Sequence, residues 1–367
     1  MNGKPKVLVR PEDVKPTLPN FRMRGVFNPA GIRLKDGRIM LYARIAETPK
    51  HGETVFLAPR FSGTKKMEIT IDKIMRKKME FDDKWYITNE KIARLPTISH
   101  MRKILLDESG MYVEEISDKP DFYGLKDDGD FGVEDPRITF FEKEKRYAMT
   151  YVAISMKSGV STFLALSKDL KNWERKGILF AQQNKDVAIF PEKINGYYVA
   201  LNRPEGTMIF DKPRIWISYS KDLIFWGKDK PIIMPRPHSW DSLRIGTGTV
   251  PLKTKKGWLV FYHGVKEVNG PKPRKVYCAG AFLLDLKRPD KVLARTPVEV
   301  PLLRPELPSE KEGFINEVVF PTAAIPDKDG KSILIYSGAA DSSTTVRKMS
   351  INKIINSLEK VSQADYC

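Results

Sequence analysis

The sequence predicts an all-β chain folded as a five-bladed β-propeller, with a long insertion after the first inner strands and a short C-terminal helix. Three observations carry this expectation. Five segments repeat one pattern, a turn followed by about five aromatic or β-branched residues: Asp36 to Tyr42, Lys145 to Tyr151, Asn195 to Leu201, Lys256 to Tyr262 and Asp329 to Tyr336. Half-buried strands entered from tight turns have this form. Next, Ser167-Lys168-Asp169-Leu170 with Trp173 recurs as Ser220-Lys221-Asp222-Leu223 with Trp226, every matched position shifted by 220 − 167 = 53 residues. Finally, a unit of that size carries a sheet that cannot bury both faces alone, and stacking such units radially solves the problem. A two-sheet sandwich would explain the strands, but it has no reason to repeat a Ser-Lys-Asp-Leu turn at a fixed period.

The elements follow in order along the chain. Met1 to Lys6 carries charge with no apolar stretch behind it, so no secretory leader is expected. The first two repeats are separated by about twice the usual interval, which places an insertion at about 46–96. Its basic, Met-rich piece from Lys65 to Met79 reads as an amphipathic hairpin or a short helix in a loop. Pro-rich turns fall at Lys230-Pro231, Pro235-Arg236-Pro237 and Arg304 to Pro308. In the tail from Ser350 to Val361, Ile351, Ile354, Ile355 and Leu358 have helical spacing and predict a terminal helix on the propeller rim. Residues 1–367 are read as one domain.

With 41% hydrophobic residues the chain has ample core, and its 63 Lys and Arg against 46 Asp and Glu give a net charge of +17. The basic residues are scattered, often beside acidic ones, and no aromatic stripe interleaves them, so nucleic acid is not an expected partner. An anionic substrate is the more economical reading. Cys278 lies in an apolar run and Cys367 is the last residue, which argues against a structural disulfide and for a cytoplasmic setting. No stretch approaches a membrane span. His51, His100, His238 and His263 show no ligand spacing, so no metal is expected.

Carboxylates and guanidinium groups beside strands are therefore the candidates for chemistry. Glu134-Asp135-Pro136-Arg137 runs directly into the strand Ile138 to Phe141. At the mouth of an inner strand such a pair points into the central cavity, where a carboxyl group kept protonated serves as an acid. Lys185, Arg203 and Arg244 each flank an apolar strand or a Gly-rich turn, where a cation needs an anionic partner. Taken singly, each also fits a structural ion pair.

Phe27-Asn28-Pro29-Ala30, Gly132 to Arg137, Asn184-Lys185-Asp186, Asn202-Arg203-Pro204, Trp240 to Gly248, Gly257 to Val265 and Gly338-Ala339-Ala340-Asp341 together resemble glycoside hydrolase family 130, over about Asn28 to Val346. That family holds inverting β-mannoside phosphorylases and some β-mannosidases on a five-bladed propeller. The resemblance implies Asp135 as general acid, acting on the leaving oxygen through the 3-hydroxyl of the mannosyl ring. It implies a phosphate pocket of Lys185, Arg203 and Arg244, with His263 and Tyr277, and sugar contacts at Asn28, Arg44, Glu134, Arg137 and Asp341. No cofactor is implied; inorganic phosphate is the co-substrate and a β-mannoside the partner.

An inverting hydrolase needs a second carboxylate to activate water. Phosphate is already a nucleophile, and a cationic cradle replaces that base. Two departures from the family pattern, Glu205 after Arg203-Pro204 and Glu317 before Val318-Val319-Phe320, keep a β-mannosidase with either glutamate as base as the alternative. A non-catalytic carbohydrate- or nucleic-acid-binding propeller is the third reading. Linkage, acceptor sugar and the question of a homo-oligomer are left open.

Overall fold

The structure, a computed structural model, describes residues 3–361 apart from 51, 83–84, 89–92, 182, 207, 209 and 271–272, with backbone alone at 79–82 and 85–88. His51 and Cys367 lie outside the described residues. Among those described the fold is all β, and no helix is long and apolar enough to cross a membrane.

Antiparallel four-stranded meanders follow one another along the chain. The first comprises Phe21–Arg33, Ile39–Pro49, Ile98–Leu106 and Val113–Ile116, and the second Gly132–Phe141, Arg146–Ser155, Gly159–Ser167 and Glu174–Phe180. Asn184–Ile189, Tyr198–Pro204, Ile215–Ser220 and Trp226–Ile233 form the third, and Arg244–Thr247, Gly257–Val268, Arg274–Leu284 and Val292–Arg295 the fourth. The last contains Val319–Pro326, Ser332–Ala339 and Ser343–Ser350, completed at its outer edge by the N-terminal strand Lys6–Val9. A single parallel bridge, Gly132 to Ser99, joins the first meander to the second.

Each of the five repeated segments supplies the second strand of a meander, and these strands are buried on both faces where the sequence suggested one. Leu41, Ala43 and Ile45 pack against Leu334 and Tyr336 of the last meander, while Tyr42 turns to Met149 and Tyr151 of the second. Trp258, Val260 and Tyr262 face Val199 and Leu201 of the third, whereas Leu259 and Phe261 face Ile333 and Ile335. Tyr198 and Ala200 pack on Ala148 and Leu164. The strand period of two thus sends alternate side chains into two different cores. Full burial of such a side chain stabilises the fold by about 1.5–3 kcal/mol.

Threonine hydroxyls tie neighbouring meanders together. Thr139, Thr150 and Thr162 donate to the carbonyls of Ile189, Val187 and Asn184 at 2.8, 2.6 and 2.9 Å. Thr322 and Thr344 donate to the carbonyls of Pro29 and Val26, both at 2.8 Å. Val187 and Pro29 lie in bulges where the sheet ladder is interrupted, so the hydroxyls satisfy carbonyls that the ladder leaves unpaired.

The Ser-Lys-Asp-Leu repeat is one turn used twice. Ser167 Oγ accepts the amides of Asp169 and Leu170 at 3.2 and 3.0 Å, and Ser220 Oγ those of Asp222 and Leu223 at the same distances. Leu170 and Leu223 both take positive φ.

Two boundaries differ from expectation. Strand Ile39–Pro49 continues into the expected insertion, which becomes two small sheets: the hairpin Val55–Phe61 with Ile69–Met75, and Met79–Asp82, Trp85–Thr88 and Ala93–Arg94. The basic piece is thus a hairpin strand with a one-turn 3-10 segment, anchored by Phe61 against Phe21 and Ile98. At the other end the helix covers only Ile351–Asn356, capped by Ser350, because Glu359–Lys360 pairs with Val292–Arg295. A short helix at Pro308–Lys311 follows the Pro-rich turn at 304–308, and the sequence reading missed it.

Candidate active site

The first strands of the first three meanders each carry a bulge containing one residue in left-handed conformation: Asn28 (φ 49), Asp135 (φ 47) and Asp186 (φ 58). Asn and Asp are the non-glycine residues that tolerate this region best, and a bulge re-aims a side chain that the pleat would otherwise point into the sheet stack. All three line one recess that opens to solvent at its mouth.

One wall is acidic. Asn28 Nδ2 donates to Asp135 Oδ1 at 2.9 Å and Arg44 Nη1 to the same oxygen at 3.3 Å. Arg44 Nη2 also donates to Glu134 Oε1, and Ser99 Oγ lies 3.5 Å from that atom. Asp341, at φ 49, completes the wall. Burial, reinforced by the charges of Asp135 and Glu134 and opposed by Arg44 and Lys185, pushes its carboxyl up to about 6. Burial and the Asp135 charge likewise raise Glu134, against the pull of Arg44 and Lys185. One guanidinium thus faces three carboxylates. Asn28 reaches its place because residue 338 is glycine: a Cβ there would lie 1.9 Å from Asn28 Oδ1.

The opposite wall is cationic. Arg203 Nε donates to Asp186 Oδ2 at 2.7 Å, and its Nη1 to Glu205 Oε2. Arg244 Nη1 lies 3.6 Å from Glu205 Oε1, and its Nη2 donates to the Tyr277 hydroxyl. Among the described residues the Lys185 ammonium has no hydrogen-bond or ion-pair partner within reach, although it lines the recess. Burial works against the Asp186 charge, but Arg203, His263 and Arg137 hold its carboxyl well below the usual range. Burial, with Arg203, Arg244 and Arg137 adding to it and Asp186 opposing, pushes His263 down to about 3, so its ring is neutral near pH 7. That ring lies against Phe320 with centroids 4.3 Å apart. A Cβ on Gly246 would lie 2.3 Å from Asp186 Oδ2 and 2.4 Å from His263 Cε1, which is why the strand carries glycine there.

The recess therefore brings together Asn28, Arg44, Glu134, Asp135, Lys185, Arg203, Glu205, Arg244, His263, Tyr277 and Asp341. Two expected residues are placed elsewhere. Arg137, expected at the sugar, is 1% exposed and does not line the recess; it lies behind Asp135 and Asp186. It donates to the carbonyls of Gly248, Thr247 and Asp135 and approaches Asp186 at 3.8 Å, because the bulge between Glu134 and Arg137 turns the chain so that the side chain two residues after Asp135 enters the core. Glu317 is not a wall residue; it reaches outward to Arg274 at 3.5 Å, while its carbonyl accepts the Tyr277 amide. Sequence reasoning assigned no role to Gln183, Asp186, Ile315, Val318 or Phe320, all of which line the recess. Asp186 stood inside a motif already noted, and Val318 and Phe320 in the segment noted after Glu317; Gln183 and Ile315 carry no local signal of their own.

Among the described residues no group of three or more His, Cys, Asp or Glu is disposed to hold a metal ion. An acid on one wall and cations on the other suit transfer of a glycosyl group to an anion.

Comparison with known proteins agrees with this geometry. The sequence profile of glycoside hydrolase family 130, described as β-1,4-mannooligosaccharide phosphorylase, matches residues 110–360. The β-1,2-mannobiose phosphorylase of Listeria innocua is 37% identical over 358 residues, 96% of each chain. A 1,2-β-oligomannan phosphorylase of Thermoanaerobacter is 43% identical over 212 residues, 57% of this chain and 65% of that one. The solved structure of the Listeria innocua enzyme with β-1,2-mannobiose superposes with a TM-score of 0.83 at 35% identity, covering 96% of both chains. The profile covers the second to the last meander, the Listeria innocua relative and its structure cover nearly the whole chain, and on that basis the chain belongs to glycoside hydrolase family 130.

Proposed function

We propose that the protein is an inverting β-mannoside phosphorylase that converts a β-1,2-linked mannobiose or oligomannan and inorganic phosphate to α-D-mannose 1-phosphate and a shortened sugar. The β-mannoside phosphorylase activity rests on family membership and on relatives of that activity. The β-1,2 linkage rests on the Listeria innocua relative, which matches over nearly the whole chain. The observation that carries the reading is the single recess holding Asp135 opposite Lys185, Arg203 and Arg244.

In this mechanism the three cations, with His263 and Tyr277 beside them, orient phosphate toward the anomeric carbon. Asn28, Arg44, Glu134 and Asp341 hold the mannosyl ring, and Asp135 supplies the proton that the leaving oxygen receives. Phosphate is the only co-substrate required. Hydrolysis fits less well, since Glu205 is bound by Arg203 and Arg244. Although burial works against its charge, Arg203, Lys185 and Arg244 hold its carboxyl below the usual value, which makes a weak base.

We read the meanders as five blades of one closed propeller, a single domain of 1–367. Cores shared between successive meanders, and between the last and the first, support closure. A cytoplasmic setting is our reading from the buried free thiol of Cys278.

The direct test is incubation with β-1,2-mannobiose, and in parallel β-1,4-mannobiose, with and without phosphate. Mannose 1-phosphate formed from the β-1,2 sugar only when phosphate is present is the expected result. Free mannose formed without phosphate would reject phosphorolysis.

A further inference from the structure

Glu205 is an unexpected residue to find in a site for an anion. Its amide donates to the Gln183 carbonyl at 2.9 Å, directly after Pro204 at the end of strand Tyr198–Pro204, so its backbone is fixed to the cavity wall. Its carboxylate bridges the two arginines, with Oε2 on Arg203 Nη1 and Oε1 3.6 Å from Arg244 Nη1. Arg203 does not need this partner for neutralisation, because Asp186 already holds its Nε from the buried side at 2.7 Å. Asp186 is 2% exposed at its side chain, whereas Glu205 is 26% exposed and faces the recess.

Lys185, Arg203 and Arg244, with Arg137 behind Asp186, contribute four positive charges and Asp186 and Glu205 two negative ones, which leaves a net of two. A site selected only to attract an anion would omit the second carboxylate.

On the reading that this protein is a phosphorylase, we propose that Glu205 is the specificity-determining residue of the anion subsite: bridging Arg203 and Arg244, it accepts a hydrogen bond from the P–OH of monohydrogen phosphate and turns away tetrahedral anions that carry no proton. A carboxylate beside another anion's oxygen is repulsive unless a proton lies between them, and then the contact becomes a short charge-assisted hydrogen bond. Inorganic phosphate keeps at least one proton near neutral pH; sulfate keeps none. The carboxylate thus supplies the repulsive element that discrimination requires, while the arginines supply attraction common to both ions.

The same contact orients the nucleophile. With its P–OH turned to Glu205, phosphate presents an unprotonated oxygen to the anomeric carbon. That oxygen forms the new C–O bond as the glycosidic C–O bond breaks, and the departing oxygen takes the proton of Asp135. The phosphate proton stays on the product ester, so the dianion becomes a monoester monoanion and Asp135 becomes a carboxylate.

The test is phosphorolysis of β-1,2-mannobiose at rising sulfate concentration, for the wild type, Glu205→Gln and Glu205→Asp. Sulfate should inhibit the wild type far more weakly than phosphate binds. In Glu205→Gln the ratio of sulfate inhibition constant to phosphate KM should fall by about tenfold or more, because a neutral amide no longer repels sulfate. Glu205→Asp keeps the charge but withdraws it from Arg244 and should give an intermediate ratio, which also tests the proposal if the glutamine variant does not fold. If Glu205→Gln folds but does not turn over, titration calorimetry with phosphate and sulfate reads the same ratio. Sulfate inhibition of the wild type as tight as phosphate binding, or an unchanged ratio in both variants, would overturn the role of Glu205 alone. Wild-type turnover that needs no phosphate would instead overturn phosphorolysis, so the two failures are distinct.

Discussion

Asn28 and Asp135 meet across two adjacent first strands, the amide nitrogen of one donating to Oδ1 of the other at 2.9 Å, and both residues hold positive φ directly before a proline. Arg44 takes the same Oδ1 at 3.3 Å, while among the described residues Oδ2 has no hydrogen-bond or ion-pair partner. The carboxyl is thereby fixed through one oxygen and free at the other, the arrangement a proton donor requires. Backbone strain at both positions is part of this aim, since each side chain reaches the recess only from a left-handed residue in a bulge.

Asp135→Asn keeps this shape and removes the transferable proton. Turnover of β-1,2-mannobiose should fall by about 10²–10⁴-fold, with sugar binding and thermal unfolding nearly unchanged. An aryl mannoside with a good leaving group should lose much less. Near-wild-type turnover of the disaccharide by this variant would remove Asp135 from the role of acid.

The raised carboxyl of Asp341 predicts a pH signature in stability. Between the usual aspartate value of 3.8 and its folded value of about 6, the native state binds more protons than the unfolded chain. Stability from this group therefore falls as pH rises through that window, and the cost is fully present above about 6. Asp341→Asn should raise the melting temperature relative to wild type at pH 8 and lose that advantage at pH 4. The benefit should reach a few kcal/mol at most, about 1.4 kcal/mol per pKa unit. A stability difference that did not change with pH would show that the carboxyl is not under this strain.

Gly246→Ala tests the space that Asp186 and His263 occupy. The added methyl would sit 2.3 Å from one and 2.4 Å from the other; Asp186 cannot yield without breaking its pair with Arg203, and His263 is packed against Phe320. A loss of about 1–3 kcal/mol is expected from overpacking, together with a raised KM for phosphate and little change for the sugar. Normal melting and normal phosphate KM in this variant would contradict the tight packing behind the cations.

The parts of this structure legible in the sequence share a physical cause. Strands such as Leu259–Tyr262 face two cores at once, so they appear as uninterrupted apolar runs after a turn, and five of them stand out. The twin Ser167 and Ser220 turns stand out because a hydroxyl and a carboxylate must each cap two amides at fixed offsets. Asp135 was legible from an acidic pair entering a strand. Arg137 was misplaced for the same reason, because adjacency in sequence does not reveal on which side of a bulge a side chain emerges. The small sheets at 55–94 have short strands whose alternation is weak, and the terminal helix stops early because a strand edge captures Glu359 and Lys360. Glu205 as a bridge between two arginines has no sequence signal, since Arg244 comes from a different meander.

Lys185→Ala separates phosphate binding from fold integrity more cleanly than any change at the arginines. Among the described residues the Lys185 ammonium lines the recess with no hydrogen-bond or ion-pair partner, so its removal breaks no direct contact and withdraws only its longer-range pull on Glu134, Glu205 and Asp341. Losing one charge-assisted contact to an oxyanion costs about 1.5–3 kcal/mol, or roughly one to two decades in affinity. The KM for phosphate should therefore rise about 10–100-fold, with a far smaller rise for mannobiose and no change in melting temperature. Arg203→Ala should raise the phosphate KM as well, but it also strips the buried Asp186 of its 2.7 Å partner. Breaking a buried pair from one side costs about 3–5 kcal/mol, so that variant should also melt at a clearly lower temperature. Equal rises in both Michaelis constants for Lys185→Ala would show that Lys185 serves the sugar and would remove it from the phosphate cradle.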